Sequence, residues 1–117
     1  MKIERGDILI CDLGYFPNSS IQDGVRPVVV VSNNKANQYS PVITVVPLTC
    51  RIHKKRYLPT HVFIHKDDQT GLNHHSMALA EQVTSIDHRS VVSEVGRVNE
   101  TVMEEISKAV GVQTGLL

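Results

Sequence analysis

Tryptophan is absent from these 117 residues, cysteine occurs only twice, and no apolar run approaches the thickness of a bilayer. A membrane-spanning helix needs roughly 20 consecutive apolar residues, so no membrane partner is expected. Cys11 and Cys50 lie in or beside expected strands without a CxxC spacing, which predicts two buried free thiols and fits a reducing cytoplasm. The start, Met1 to Asp7, is charged and runs straight into a strand, so no signal peptide is expected. P-loop, dinucleotide-fingerprint, nucleophile-elbow and HExxH patterns are all missing, and with them the local signatures of nucleotide binding and common hydrolase chemistry. Asp67 and Asp68 have no third acid nearby, whereas a metal-dependent nuclease wants a tight carboxylate cluster. His61 and His65 fall in one strand, where a four-residue separation spans ~13 Å, too far to share an ion unaided. Neither a metal nor a cofactor is expected.

What is present is ordinary in bulk and uneven in detail. Hydrophobic residues at 41% and charged ones at 21% suit one globular domain, 1–117, with a modest core. Net charge is zero, but residues 1–66 carry nine Lys/Arg against four acids and residues 67–117 three against eight. The basic half holds a cluster, Arg51-Ile52-His53-Lys54-Lys55-Arg56, in an expected loop. Such a cluster is either a solvated turn or a contact for a polyanion, most plausibly one strand of nucleic acid.

Short strands separated by turn signals fill the first two-thirds: Asp7–Leu13, Val28–Ser32, Val42–Thr49, Thr60–His65, Ser76–Ala80, Val83–Ile86 and Val91–Val98. An eleven-residue loop, Gly14–Gly24, carries two of the five aromatics, and Asn33–Ser40 reads as a polar connection. Pro47 inside a strand implies an edge position or a bulge. Strands this apolar at this spacing predict a mainly β (α+β) fold, a small, strongly curved barrel. A C-terminal helix follows, with Asn99 as N-cap, Met103, Ile106 and Val110 on one face, and Gly111 at its expected end. The apolar tail ending Leu116-Leu117 suggests a subunit contact.

Two polar residues stand at the ends of buried-looking runs. Arg26 opens Gly24-Val25-Arg26-Pro27-Val28-Val29-Val30-Val31, and Thr49 closes Val42 to Thr49. A guanidinium fork matches phosphate oxygens, and a threonine hydroxyl donates one further bond. The competing assignment is structural: Arg26 capping a loop carboxylate and Thr49 satisfying backbone.

The segment Gly24 to Asn33 resembles the MazF/PemK family of toxin endoribonucleases. The resemblance continues through Ser40-Pro41, Val46-Pro47-Leu48-Thr49, Leu58-Pro59-Thr60-His61-Val62, Gly71-Leu72, Ser76-Met77-Ala78-Leu79-Ala80-Glu81-Gln82 and Ser85-Ile86-Asp87. It implies an SH3-like barrel with a C-terminal helix, working as a cytoplasmic homodimer that cuts single-stranded RNA at short sequences and is silenced by a cognate antitoxin. The family's catalytic arginine falls on Arg26 and its catalytic threonine on Thr49. Its active-site loop falls on Tyr15 to Asp23, and the loop serine on Ser20. Where many members have a loop glutamate this chain has Ile21, which leaves the general base open among Glu81 and a histidine at 53, 74 or 75. His75 is a second departure, at a position commonly acidic.

Substrate contacts are then expected from Tyr15 and Phe16 by stacking, and from Gln22 and Gln82 by pairing with bases. Ser20, Leu58 and Glu81 join them, with Arg51, Lys54, Lys55 and Arg56 along the backbone. The alternative within the same fold is a non-catalytic toxin binding a protein such as DNA gyrase, or an inactive relative that binds RNA or antitoxin. The gyrase poisons act through a C-terminal tryptophan that this chain lacks.

Overall fold

The computed structural model describes residues 1–52 and 58–117. Seven strands and two helices follow one another as β1 (Asp7–Asp12), β2 (Val25–Val30), α1 (Asn34–Tyr39), β3 (Val42–Thr49), β4 (His61–Ile64), β5 (Ser76–Leu79), β6 (Thr84–Asp87), β7 (Val91–Arg97) and α2 (Glu100–Gln113). All pairings are antiparallel, in the order β4-β5-β3-β2-β1-β7, with β6 also on β3. The sheet is the expected curved β architecture with a C-terminal helix, and extents of 37 × 34 × 33 Å show how far seven strands have coiled. It does not close into a barrel by strand pairing, because β4 and β7 end the order unpaired with each other.

The 67–71 loop bridges that seam. Arg97 donates its backbone N–H to Gln69 O at 2.9 Å. A Cβ on Gly96 would lie 2.4 Å from the carbonyl oxygens of Gln69 and Thr70, and one on Gly71 (φ +67°) 2.2 Å from Val95 O. Glycine is required at both places because backbone meets backbone.

Alternation along the strands sorts apolar side chains onto two faces. Ile8, Val29, Val46, Leu48, Val62, Ile64 and Ala78 pack with Ile106 and Ala109 of α2, while Leu9, Cys11, Val28, Val30, Ile43 and Val45 form a second cluster on the other face. Arg5 ties α2 to the sheet, donating to Val31 O and to Ser107 Oγ.

Several expectations change. Residues 33–40 are not an irregular connection: α1 forms there, with Asn33 Oδ1 accepting from Ala36 N–H at 2.8 Å and Asn37 buried. Its six residues include only Ala36 and Tyr39 besides polar ones, so no apolar period marked it. Pro47 is not on an edge strand. It pairs with Val28 on one side, and on the other it falls between the last β6 pair (Val45 with Thr84) and the first β5 pair (Leu48 with Ala78), where no ladder partner is needed. Asn99 does cap α2, accepting from Val102 N–H at 2.8 Å. The helix passes Gly111, though, and runs to Gln113, with Thr114 as its C-cap and Gly115 at φ +81°. Leu116 donates to Gly111 O at 2.8 Å and Gly115 to Val112 O at 3.2 Å, a Schellman closure. Gly111 is instead buried where Leu117 folds back against it. Of the two thiols, Cys11 is buried but Cys50 is exposed. Among the described residues no helix is long and apolar enough to cross a membrane.

Candidate functional site

Arg26 is the second residue of β2, and Thr49 is the last of β3. The β2–β3 register pairs Val30 with Val45, Val29 with Val46 and Val28 with Pro47. Carried two positions further, the same register sets Arg26 opposite Thr49, on one face. Thr49 pairs in turn with Met77 of β5. Two residues 23 apart in sequence thus become cross-strand neighbours.

Each is held by backbone and left with donors to spare. Arg26 Nε donates to Asp23 O at 2.6 Å, the only hydrogen bond of its side chain among the described residues. The terminal guanidinium nitrogens are therefore uncommitted. Thr49 is 4% exposed, and its Oγ1 accepts from Arg51 N–H at 3.2 Å. That contact is the structural role foreseen for it, and it uses a lone pair of Oγ1, not the O–H.

The Gly14–Gly24 loop is built to sit beside this pair. Its base is closed by Leu13 N–H to Gly24 O at 2.9 Å and Gly24 N–H to Gly14 O at 2.7 Å. Asp23 anchors it twice, its carbonyl to Arg26 and its Oδ2 accepting from Phe16 N–H at 3.0 Å. Gln82, in a 3-10 turn over Ala80–Gln82, accepts from Gln22 N–H at 2.7 Å and donates to Ser20 O at 3.3 Å. Both ends of the Gln82 amide thus grip the loop, and each keeps one further lone pair or N–H.

Between loop and turn lies a cleft of about 340 Å³ lined by Phe16, Ile21, Gln22, Pro47, Glu81 and Gln82, among others. Pro47 stands two residues from Thr49, on the same face of β3, so the cleft adjoins the Arg26–Thr49 pair. Glu81 Oε2 is bonded at 2.8 Å to Nε2 of His61, whose side chain is buried. Burial works to raise the Glu81 carboxyl, but hydrogen bonding, chiefly from His61, outweighs it and holds the group below its ordinary value. Glu81 is therefore a carboxylate at neutral pH. Its Oε1 and the Oε1 of Gln22 are buried with no partner among the described residues, two acceptors in one cleft.

Of the residues expected from sequence, Phe16, Gln22, Glu81 and Gln82 meet in the cleft. Tyr15, 80% exposed, and Ser20 belong to the same loop but do not line it. Leu58 and Arg51 are exposed on the connection between β3 and β4, and Lys54, Lys55 and Arg56 lie outside the described residues. Arg26 also borders a second hollow of about 410 Å³ with Cys50, His74 and Ser76. His61 and Asp23 were not foreseen in these roles. No local pattern links His61 to Glu81, twenty residues away, and Asp23 acts largely through its carbonyl. Among the described residues no three His, Cys, Asp or Glu side chains gather closely enough to hold an ion.

Residues 4–113 match the model of the PemK-like, MazF-like toxin of type II toxin–antitoxin systems. The chain belongs to this family. The Endoribonuclease MazF of Staphylococcus saprophyticus is 34% identical over 114 residues, covering 97% of this chain and 92% of that protein. Among solved structures, a mycobacterial endoribonuclease in complex with its cognate antitoxin superposes with TM-score 0.79 at 26% identity, covering 98% of this chain and 97% of that one. MazF from Deinococcus radiodurans gives TM-score 0.79 at 21% identity over 98% of both chains, a likeness of fold.

Proposed function

We propose that this MazF-type endoribonuclease toxin cuts single-stranded RNA at short sequences by internal attack of a ribose 2′-OH, as a homodimer inhibited by a cognate antitoxin. The observation that carries the reading is the juxtaposition of Arg26 and Thr49: a guanidinium whose terminal nitrogens have no partner among the described residues, opposite a hydroxyl that can donate. In RNA the nucleophile is already adjacent to phosphorus, so alignment supplies much of the rate. The 2′-O–P bond forms, the P–O5′ bond breaks, the 2′ proton passes to a base and the departing O5′ takes up a proton. Charge accumulates on the phosphorane oxygens. Arg26 stabilises it with a bidentate fork, and Thr49 holds a nonbridging oxygen. A guanidinium has donors and no acceptor, so Arg26 is a charge stabiliser and not the base.

The cleft supports base selection. Phe16 and Ile21 offer apolar walls, and the free acceptors on Gln22 and Glu81 favour a base edge that donates. Ile21 removes a proton-carrying side chain from the loop, and Glu81 is the carboxylate of the same cleft.

The test is end-group analysis by mass spectrometry of a long RNA cut in EDTA. A 2′,3′-cyclic phosphate (or the 3′-phosphate from its opening) and a free 5′-OH are expected. A 2′-deoxy substitution on the 5′ side of the scissile bond, or a duplex, should block cutting. A 5′-phosphate product or a strict magnesium requirement would overturn the mechanism.

A further inference from the structure

The sheet face that carries Arg26 and Thr49 continues beyond them. Thr49 pairs with Met77, and Met77 pairs with Phe63 of β4. Arg26, Thr49, Met77 and Phe63 therefore form one row across four strands, on the face opposite Leu48, Ala78 and Val62 of the α2-side core. Strands are spaced ~4.8 Å apart, which sets Phe63 about 10 Å from Thr49 along the row.

Phe63 is 38% exposed, on a strand whose flanking residues Val62 and Ile64 are buried. It is not a solitary surface ring. Its centroid lies 4.7 Å from that of His65, edge-on at 81°, and 5.6 Å from that of His75. The two imidazoles lie 5.4 Å apart at 88°. His75 is fixed in place because its Nδ1 accepts from Lys66 N–H at 3.0 Å. Three rings in mutual contact, all on exposed or edge-exposed positions, with Lys66 beside them, satisfy no core. The cleft of Phe16 and Glu81 is displaced from this row along the strands, beside Pro47 and β6, and Glu81 reaches His61, two residues before Phe63 on β4.

We infer that Phe63, His65 and His75 form a stacking platform for a base of the single-stranded RNA, two strands across the sheet from Thr49 and distinct from the Phe16–Glu81 cleft. The inference rests on the proposed RNA cleavage and adds a second base contact, reached from Arg26 and Thr49 over Met77. Aromatic faces accept any base, since every base has a π-face, so the platform contributes affinity and register more than sequence choice. It suits RNA better than a protein partner because it is a continuation of the row that meets the phosphate.

The experiment measures binding of an uncleavable RNA, 2′-deoxy at the scissile nucleotide, to the full chain and its variants. Phe63→Ala should weaken binding by about 5- to 100-fold, the range expected for one lost base–aromatic stack. Phe63→Trp should retain affinity, and Val92→Ala, an exposed apolar truncation on β7, should change nothing. An abasic residue scanned through the positions beside the cut should weaken the wild type at one position on one side, and there the penalty of Phe63→Ala should vanish. Circular dichroism and sedimentation confirm a folded protein of unchanged assembly. Undiminished binding by Phe63→Ala, additive losses at every abasic position, or an altered oligomeric state in place of an RNA defect would each overturn the platform. Should the wild type fail to cut any RNA, the proposed function falls; should it cut while Phe63→Ala binds normally, only the platform does.

Discussion

Thr49 accepts the Arg51 N–H on one lone pair of Oγ1 and keeps its O–H as a donor. Arg26 offers its terminal nitrogens because only Nε is spent on the loop. Arg26→Ala is therefore expected to lose at least ~3–4 kcal/mol of transition-state stabilisation, two to three orders of magnitude in cleavage rate. Arg26→Lys should recover little, since a point charge cannot reproduce the fork, while Thr49→Ser should exceed Thr49→Ala. Single-turnover kinetics on one RNA decide both. A second expectation concerns thiols. Burial raises the Cys11 thiol to about 11 from 9.0, whereas Cys50 is exposed. Native protein should label at one cysteine and unfolded protein at two. A raised native pKa stabilises the fold below 9.0, and that contribution disappears as pH climbs toward 11. Urea titrations across that window should show stability falling in the wild type, and less steeply in Cys11→Ala.

Among the elements, the strands were legible because β-branched runs broken by turn residues leave few alternatives. β3 and the N-cap of α2 fall where the residues indicate, and Arg26 and Thr49, paired by the family resemblance, lie opposite each other in the β2–β3 register. What could not be read was whatever depends on partners distant in sequence. Pro47 looked like an edge residue because its strand changes neighbour from β6 to β5 at that point, and the sequence carries no mark of such a switch. Gly111 looked like a helix end because glycine usually is one, yet the helix runs on past it and Leu117 folds back onto it. The His61–Glu81 bond, the grip of Gln82 on the loop and the three-ring cluster all join elements that local patterns treat separately. The Gln82 grip is testable. Gln82→Ala removes both bonds to the loop, so amide exchange across residues 15–23 should accelerate and KM should rise more than kcat falls. Gly71→Ala should cost more than ~1 kcal/mol, read as a lower urea midpoint, because its Cβ would meet Val95 O in a left-handed backbone.

At the scale of the whole molecule, charge and apolar surface point to two kinds of partner. Leu116 and Leu117 at the end of α2 are 82% and 71% exposed, more apolar tail than a chain this small comfortably leaves in water. A symmetric homodimer at micromolar concentration is expected, and sedimentation showing a stable monomer well above that range would refute it. The charge asymmetry concerns the other partners. Nine of the twelve Lys/Arg precede residue 67, four of them at Arg51, Lys54, Lys55 and Arg56. If that cluster holds the RNA backbone, each phosphate contact releases counterions, and the logarithm of the binding constant falls with the logarithm of salt by ~0.7 per contact on a single strand. Neutralising Lys54, Lys55 and Arg56 together should weaken RNA binding and flatten the salt slope by up to ~2. Arg26→Ala, a contact with one phosphate, should flatten it by less than 1. An acidic antitoxin segment should compete with RNA in the wild type and lose its hold in the triple variant. A salt slope unchanged by the triple neutralisation would remove the cluster from the binding surface and leave the Arg26 face as the main electrostatic contact.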